Sequence, residues 1–146
     1  MKKYLSTTVL FLSSLLSAYA GDGFKITGDV TEVADGTTLY LQLVGPPSVR
    51  LDSTKIEKGH FEFSGAYRAK PEWALVSVKG QFLPLCDFYL ENGNITMTGS
   101  RYKTQAIGTA TNEQYNYYNQ NINSMFSDIY NMNVALSMAT RSYSQG

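Results

Sequence analysis

Apolar and polar residues alternate in short runs along most of this 146-residue chain, and turn-forming residues separate the runs. A period of two is typical of β-strands with one buried face. The runs cover residues 24–33, 38–44, 49–57, 60–66, 73–78, 81–91, 95–99 and 101–108. Their spacing of about ten residues, with no helical period between them, predicts a mainly β fold. We expect an antiparallel β-sandwich or barrel of seven or eight short strands.

Glycine and proline residues predict where these strands bend or end. Asp35-Gly36 is the strongest two-residue hairpin signal and predicts a tight turn between the first two strands. Gly28 interrupts the alternation of the first run, which is typical of a bulge. Because Pro84 cannot donate a backbone hydrogen bond, the sixth run is expected at a sheet edge or at a bulge.

The period changes after Gly108, where apolar residues recur at alternating steps of three and four. These steps place them on one face of a helix, with Thr111 or Asn112 as its N-cap. The apolar stripe comprises Tyr115, Tyr118, Ile122, Met125, Ile129, Met132 and Leu136. We therefore predict one C-terminal α-helix and take this stripe as its interaction face.

The composition of this helix indicates that the stripe needs a partner. Seven residues between 112 and 133 are asparagine, a poor helix former, so burial of the stripe must supply the stability. Three partners fit the pattern: the predicted sheet, a second helix, or a domain outside this chain. A coiled coil of three heptads would make the protein a homo-oligomer, although the usual charged residues at the flanking positions are missing.

The N-terminus has the three parts of a secretory signal peptide. Lys2 and Lys3 precede an apolar run over residues 9–16, and Ala18-Tyr19-Ala20 supplies a cleavage site. The run is too short to span a bilayer, which needs about 20 apolar residues. We expect removal of residues 1–20 and export of the remaining chain. A β domain over 21–108 and an Asn-rich amphipathic helix or linker over 109–146 would remain.

Charge and residue counts exclude several classes of function. Removal of residues 1–20 leaves 10 basic and 12 acidic residues, so no basic surplus is available to bind nucleic acid. Cys86 is the only cysteine, which excludes an intrachain disulfide and a Cys-x-x-Cys redox centre within these residues. His60 is the only histidine, and one histidine with one cysteine cannot form a zinc site. We expect no metal and no cofactor.

One segment, DSTKIEKGHFEFSG at 52–65, holds the three side chains of a serine-hydrolase triad. Its pattern predicts a hairpin with Lys58-Gly59 at the tip and with His60 paired to Glu57. In that register Ser53 lies about 13 Å from His60, whereas a nucleophile must lie within hydrogen-bond reach of its base. We therefore interpret the segment as a hairpin rather than as an active site. Its core-facing residues are Ile56, Phe61 and Phe63.

Other chemistry has equally little support. Asp87 and Glu91 have the residue types of a glycosidase carboxylate pair, but the same letters fit a strand that ends in a turn. Cys86 lies among apolar residues beside the anion Asp87, so a buried, inert thiol is expected. Eleven tyrosines are scattered over strands and helix and give only a weak indication of a glycan- or peptide-binding surface.

Five segments of the strand region follow the order and spacing of a known family. They are FKITGDV, ADGTTLYLQ, LDSTKIEKGHFEFSGAYRAKPEWALV, FYLENGNITMTG and AIGTATNEQYNYY. Together they resemble the DUF4369-type β domain at the N-terminus of TlpA/ResA-like thiol:disulfide oxidoreductases of Bacteroidetes. The resemblance covers residues 24–118. It implies the periplasm or cell envelope of a diderm bacterium and a thioredoxin-like partner domain, in cis or in trans, that carries Cys-x-x-Cys.

Because these 146 residues hold no Cys-x-x-Cys motif, no catalytic residue is carried over from that family. We therefore expect a non-catalytic exported accessory β domain associated with a thiol:disulfide oxidoreductase system of the cell envelope. Two alternatives stay open. One is a stand-alone envelope module that binds glycans or peptides, and the other is a structural protein that self-associates through the C-terminal helix.

Overall fold

The computed structural model describes residues 23–143, which form eight strands followed by one helix. The predicted signal peptide, residues 1–20, lies outside the described residues. The strands are β1 (Phe24–Thr31), β2 (Thr38–Leu43), β3 (Val49–Lys55), β4 (His60–Gly65), β5 (Glu72–Val78), β6 (Pro84–Leu90), β7 (Gly93–Ser100) and β8 (Gln105–Ile107), and the helix is α1 (Ala110–Tyr143). The predicted mainly β fold with a C-terminal helix is confirmed.

The strands form two four-stranded sheets, in the orders β4-β1-β7-β8 and β3-β2-β5-β6. The architecture is therefore a sandwich and not a closed barrel. Every hydrogen-bonded pair is antiparallel except β1 and β7, which run parallel. This pair departs from the expected antiparallel pattern because β1 and β7 are far apart in the chain, so no hairpin fixes their relative direction.

The core lies between the two sheets and is built from the inward-facing residues of each alternating strand. Both sheets contribute side chains with no exposed surface. These are Ile26, Leu39, Leu41, Ile56, Ala74, Val76, Phe88, Leu90, Ile95 and Met97. The period of two in the sequence therefore identifies the buried face of β1, β2, β4, β5 and β7, whereas β3 has no buried residue and β6 has two in succession, Leu85 and Cys86.

Two turns that were predicted as hairpins instead carry the chain from one sheet to the other. The Asp35-Gly36 turn connects β1 to β2, and the Lys58-Gly59 turn connects β3 to β4, and in each case the two strands belong to different sheets. The hairpin prediction is therefore wrong for the strands on either side of both turns, although the tight turn at Lys58-Gly59 forms as predicted, with Glu57 opposite His60. The crossovers lie side by side, since the Gly36 N–H donates to the Ile56 carbonyl at 2.8 Å and the Gly59 N–H donates to the Asp35 carboxylate at 3.2 Å.

The predicted register of the 52–65 segment holds only at its tip. Glu57 and His60 form an isolated bridge, but from there β3 pairs with β2 and β4 pairs with β1. The expected cross-strand pairing of Ile56 with Phe61 is therefore wrong. Ile56, Phe61 and Phe63 are nevertheless buried, because Ile56, just after β3, and the alternate residues Phe61 and Phe63 of β4 enter the same core.

Pro84 and Gly28 differ in how well their roles were predicted. Pro84 begins β6 at the edge of its sheet, beside a register shift between Val76 and Ser77, as expected. Gly28 forms no bulge, because the register of β1 against β4 is continuous through it. Instead the Phe61 ring lies directly over Gly28, where a Cβ atom would collide with the ring.

Substitution of Gly28 by alanine is expected to lower the free energy of unfolding by about 1–3 kcal/mol, because a new methyl group must displace the buried Phe61 ring. Chemical denaturation measures this difference. Gly45→Ala is the control, since a Cβ atom there would lie 3.7 Å from its nearest neighbour, the Pro47 carbonyl oxygen. Equal stability of the two variants would contradict the packing role of Gly28.

Candidate functional site

The helix α1 begins against the free edges of both sheets. β6 is the edge strand of one sheet and β8 is the edge strand of the other. Asn112 on α1 accepts a hydrogen bond from the Tyr89 N–H at 2.9 Å and donates one to the Tyr89 carbonyl at 2.8 Å. Asn116 donates to the Ala106 carbonyl of β8 at 2.8 Å. Asparagine side chains thus pair with edge-strand groups that would otherwise need water or another chain.

Glu91, just after β6, fixes the first turn of α1. Its carboxylate accepts hydrogen bonds from the Thr111 N–H at 2.9 Å and from the Thr111 hydroxyl at 2.8 Å. A carboxylate at this position also interacts favourably with the positive end of the helix dipole. Thr109 precedes the first helical residue, Ala110, and its hydroxyl accepts a hydrogen bond from Asn112. The prediction of Thr111 or Asn112 as the N-cap is therefore wrong by two or three residues.

Three aromatic side chains pack where α1 crosses β5 and β6. Trp73, Tyr89 and Tyr115 meet edge to face, with ring centroids 5.1, 5.2 and 5.7 Å apart. The Tyr115 hydroxyl donates to the Asp87 carboxylate at 2.8 Å. Partial burial raises the pKa of Tyr115, and the neighbouring Asp87 raises it further. We call Tyr89, Glu91, Asn112 and Tyr115 the helix anchor.

Tyr115 is the one member of the predicted interaction face that the sandwich covers with this aromatic packing. The other six members, here called the exposed stripe, are between 44 and 69% exposed. They are Tyr118, Ile122, Met125, Ile129, Met132 and Leu136. Packing of the stripe on the sheet, one of the three expected partners, therefore accounts for Tyr115 and leaves the exposed stripe without cover among the described residues.

The candidate triad is not assembled. His60 Nδ1 lies 3.0 Å from Asp29 Oδ1, and His60 Nε2 lies 3.5 Å from Glu62 Oε1. Ser53 is on β3 in the other sheet, where its N–H bonds to the Asp52 carboxylate. The expected side-chain partner of His60, Glu57, pairs with it through the backbone instead. The crossover between sheets separates the three triad residue types.

The other side chains considered as candidate chemistry, Asp87, Glu91 and Cys86, are likewise occupied or buried. Asp87 and Glu91, the carboxylates considered for glycosidase chemistry, both hold α1 in place. Burial raises the pKa of the Cys86 thiol to about 12, and the charge of Asp87 adds to the effect. No group of three or more His, Cys, Asp or Glu side chains that could hold a metal ion occurs within residues 23–143.

A polar cleft of about 340 Å³ lies between α1 and the sandwich. Its lining includes Asp87, Lys103, Asn116, Asn119 and Asn123. Two of these side chains are already bonded within the protein, Asp87 to Tyr115 and Asn116 to Ala106. Part of the cleft lining thus holds α1 against the sandwich. The binding of a glycan or peptide stays a prediction.

Of the anchor residues on α1, Tyr115 was predicted as part of the interaction face, and Asn112 was predicted only as an N-cap candidate. Asn112, Asn116, Asn119 and Asn123 recur at steps of four, three and four, which places them on one helix face. This face points to the sandwich. The spacing of these asparagines, rather than their number, is therefore the feature of the sequence that indicates which face of the helix meets the sandwich.

Comparison with known proteins gives one match. A family model described as "Domain of unknown function (DUF4369)" matches residues 24–115, from the first residue of β1 to the last residue of the helix anchor. No curated protein and no solved structure matches the chain. Within residues 23–143, no helix combines the length and apolar character needed to cross a bilayer.

Substitution of Asn112 by alanine is expected to lower the free energy of unfolding by about 1–3 kcal/mol, because it leaves the buried backbone groups of Tyr89 without partners. Hydrogen exchange at the Tyr89 amide should accelerate in the same variant. Asn121→Ala is the matched control, since the Asn121 side chain is exposed and bonds only to the Tyr117 carbonyl of its own helix. An unchanged Tyr89 amide in Asn112→Ala would contradict the anchor.

The single histidine gives a direct test of surface electrostatics. A hydrogen bond to Asp29 raises the pKa of His60 above 6.5, and Glu62 adds to the rise. The pairing therefore stabilises the fold below pH 6.5 and loses this contribution as the pH rises through the raised pKa. NMR titration of the one imidazole should show a higher pKa in the wild type than in Asp29→Asn. Asp52→Asn, in the other sheet, should leave it unchanged, and equal values in all three proteins would contradict the pair.

Proposed function

Since the chain belongs to the DUF4369 family, we propose that it is a non-catalytic exported accessory module of a thiol:disulfide oxidoreductase system in the bacterial cell envelope. Its role is to position a thioredoxin-like domain, in cis or in trans, that carries the redox chemistry. The resemblance of the strand region to the β domain of such oxidoreductases supports this assignment.

The observation that carries the proposal is that α1 is long, fixed at its first turns and exposed along the rest of its length. The helix has 34 residues, which corresponds to about 51 Å at 1.5 Å per residue. The helix anchor fixes its first turns to β6, Asn116 bonds to β8 of the other sheet, and its later turns are exposed. An arm that is rigid at its base fixes the direction in which a second domain is held relative to the sandwich.

The state of Cys86 supports a non-catalytic role. The thiolate, and not the thiol, attacks disulfides, and a thiol with a pKa of about 12 is almost entirely protonated at neutral pH. The Cys86 side chain is also buried in the core, where a protein disulfide cannot reach it. Redox turnover therefore requires cysteines from another domain.

The purified chain is expected to leave the rate of insulin reduction by dithiothreitol unchanged. Wild type and Cys86→Ser should behave alike, because Cys86 is buried and protonated. A turbidity assay of insulin precipitation measures the rate. Catalysis by the wild type that is lost in Cys86→Ser would contradict the non-catalytic assignment.

The partner is tested separately. The coding sequence beyond codon 146 is expected to continue in frame into a domain with Cys-x-x-Cys, which would establish association in cis. If it does not, a separate Cys-x-x-Cys protein should copurify with the chain and be identified by mass spectrometry. Absence of both would overturn the link to an oxidoreductase system.

A further inference from the structure

We infer that the exposed stripe of α1 is a dimerisation surface that binds the same stripe of a second copy in a parallel, two-stranded coiled coil. This inference is independent of the proposed redox association. It rests on the direction of the stripe, the spacing of its residues, the distribution of charge along α1 and the area available for burial.

The exposed stripe points away from the sandwich. The face of α1 that meets the sandwich is centred on Asn112, Asn116, Asn119 and Asn123, which bond to the edge strands or line the cleft beside β8, and Tyr115 packs on the sandwich at the side of this face. At 100° per residue, the centre of the exposed stripe lies about 130° around the helix from this face. A second helix can therefore cover the stripe without displacing either sheet.

The spacing of the stripe is that of a coiled-coil seam. Heptad positions a and d are separated by alternating steps of three and four residues. Ile122, Ile129 and Leu136 occupy a, and the same pattern places Tyr118, Met125 and Met132 at d. Two of the three a positions are isoleucine, the β-branched residue type that occupies a in parallel two-stranded coiled coils.

The charges along α1 favour a second copy over a charged partner. The helix has only three charged residues, Glu113, Asp128 and Arg141, which are more than ten positions apart, so it presents no cluster of charge along its length. Asp128 occupies position g, which in a parallel dimer faces position e of the second copy, where Asn133 lies. Two copies thus meet without like charges in contact, and the nearly uncharged helix offers little to select a strongly charged ligand.

The area is sufficient for a reversible dimer. Phe126, at position e and 62% exposed, adds a seventh apolar side chain beside the seam. Burial of about 60–100 Å² from each of the seven would remove roughly 400–700 Å² per copy. A standard specific interface buries about 800 Å² per partner. The dimer is therefore expected to depend on protein concentration.

Sedimentation equilibrium over a dilution series tests the inference. The wild type should shift between the monomer mass and twice that mass, and Ile122→Asp/Ile129→Asp should remain monomeric. Ser124→Asp/Asn131→Asp is the matched control, because it adds the same charges at exposed c positions off the seam and should dimerise like the wild type. A monomeric wild type at every concentration, a larger oligomer, or a dimer that survives the seam substitutions would overturn the inference.

Disulfide trapping tests the parallel register without a disruptive charge. In a Cys86→Ser background, Met125→Cys should form an intermolecular disulfide on mild oxidation, because equivalent d residues face each other in a parallel dimer. Ser124→Cys, one residue away and off the seam, should not be trapped. Failure of Met125→Cys to crosslink, or equal crosslinking of both variants, would contradict the parallel arrangement.

Discussion

The direction of α1 depends on one buried side chain, that of Asn112. Its amide bonds to both backbone groups of Tyr89, as a neighbouring strand would, and it has no exposed surface. Loss of such a pair leaves buried polar groups unsatisfied, so the helix cannot move away from β6 without a cost in free energy. Glu91 and the aromatic contacts of Tyr115 act at the same place.

This anchorage also explains why a poor helix former is common in α1. Asn112 and Asn116 provide amide groups that can satisfy carbonyl groups on both sheet edges, which an alanine or a leucine could not do. One residue on each edge strand, Tyr89 of β6 and Ala106 of β8, thereby has its backbone occupied by the helix rather than free to pair with another chain. The apolar residues of the helix are left on a different face, where they are exposed along most of its length.

The strands and the helix could be predicted because their periods are local properties of the sequence. Sheet membership could not, since Asp35-Gly36 and Lys58-Gly59 have the composition of hairpin turns and serve as crossovers. Gly28 shows the same limit. A glycine is needed there because the Phe61 ring packs over it, and Phe61 is more than 30 residues away in the chain. The exposed stripe was visible in the sequence, whereas the roles of Asn112 and Glu91 depend on tertiary contacts that no local pattern reports.

The central claim is that α1 consists of an anchored base and an exposed arm, and that a second copy covers the exposed stripe of this arm. Amide hydrogen exchange along the helix, measured over a range of protein concentrations, tests it most directly. The account predicts protection at residues 110–117 that is independent of concentration, and protection at residues 118–143 that increases with concentration. Protection that changes equally in both parts, or rapid exchange from Tyr118 onward at every concentration, would contradict it.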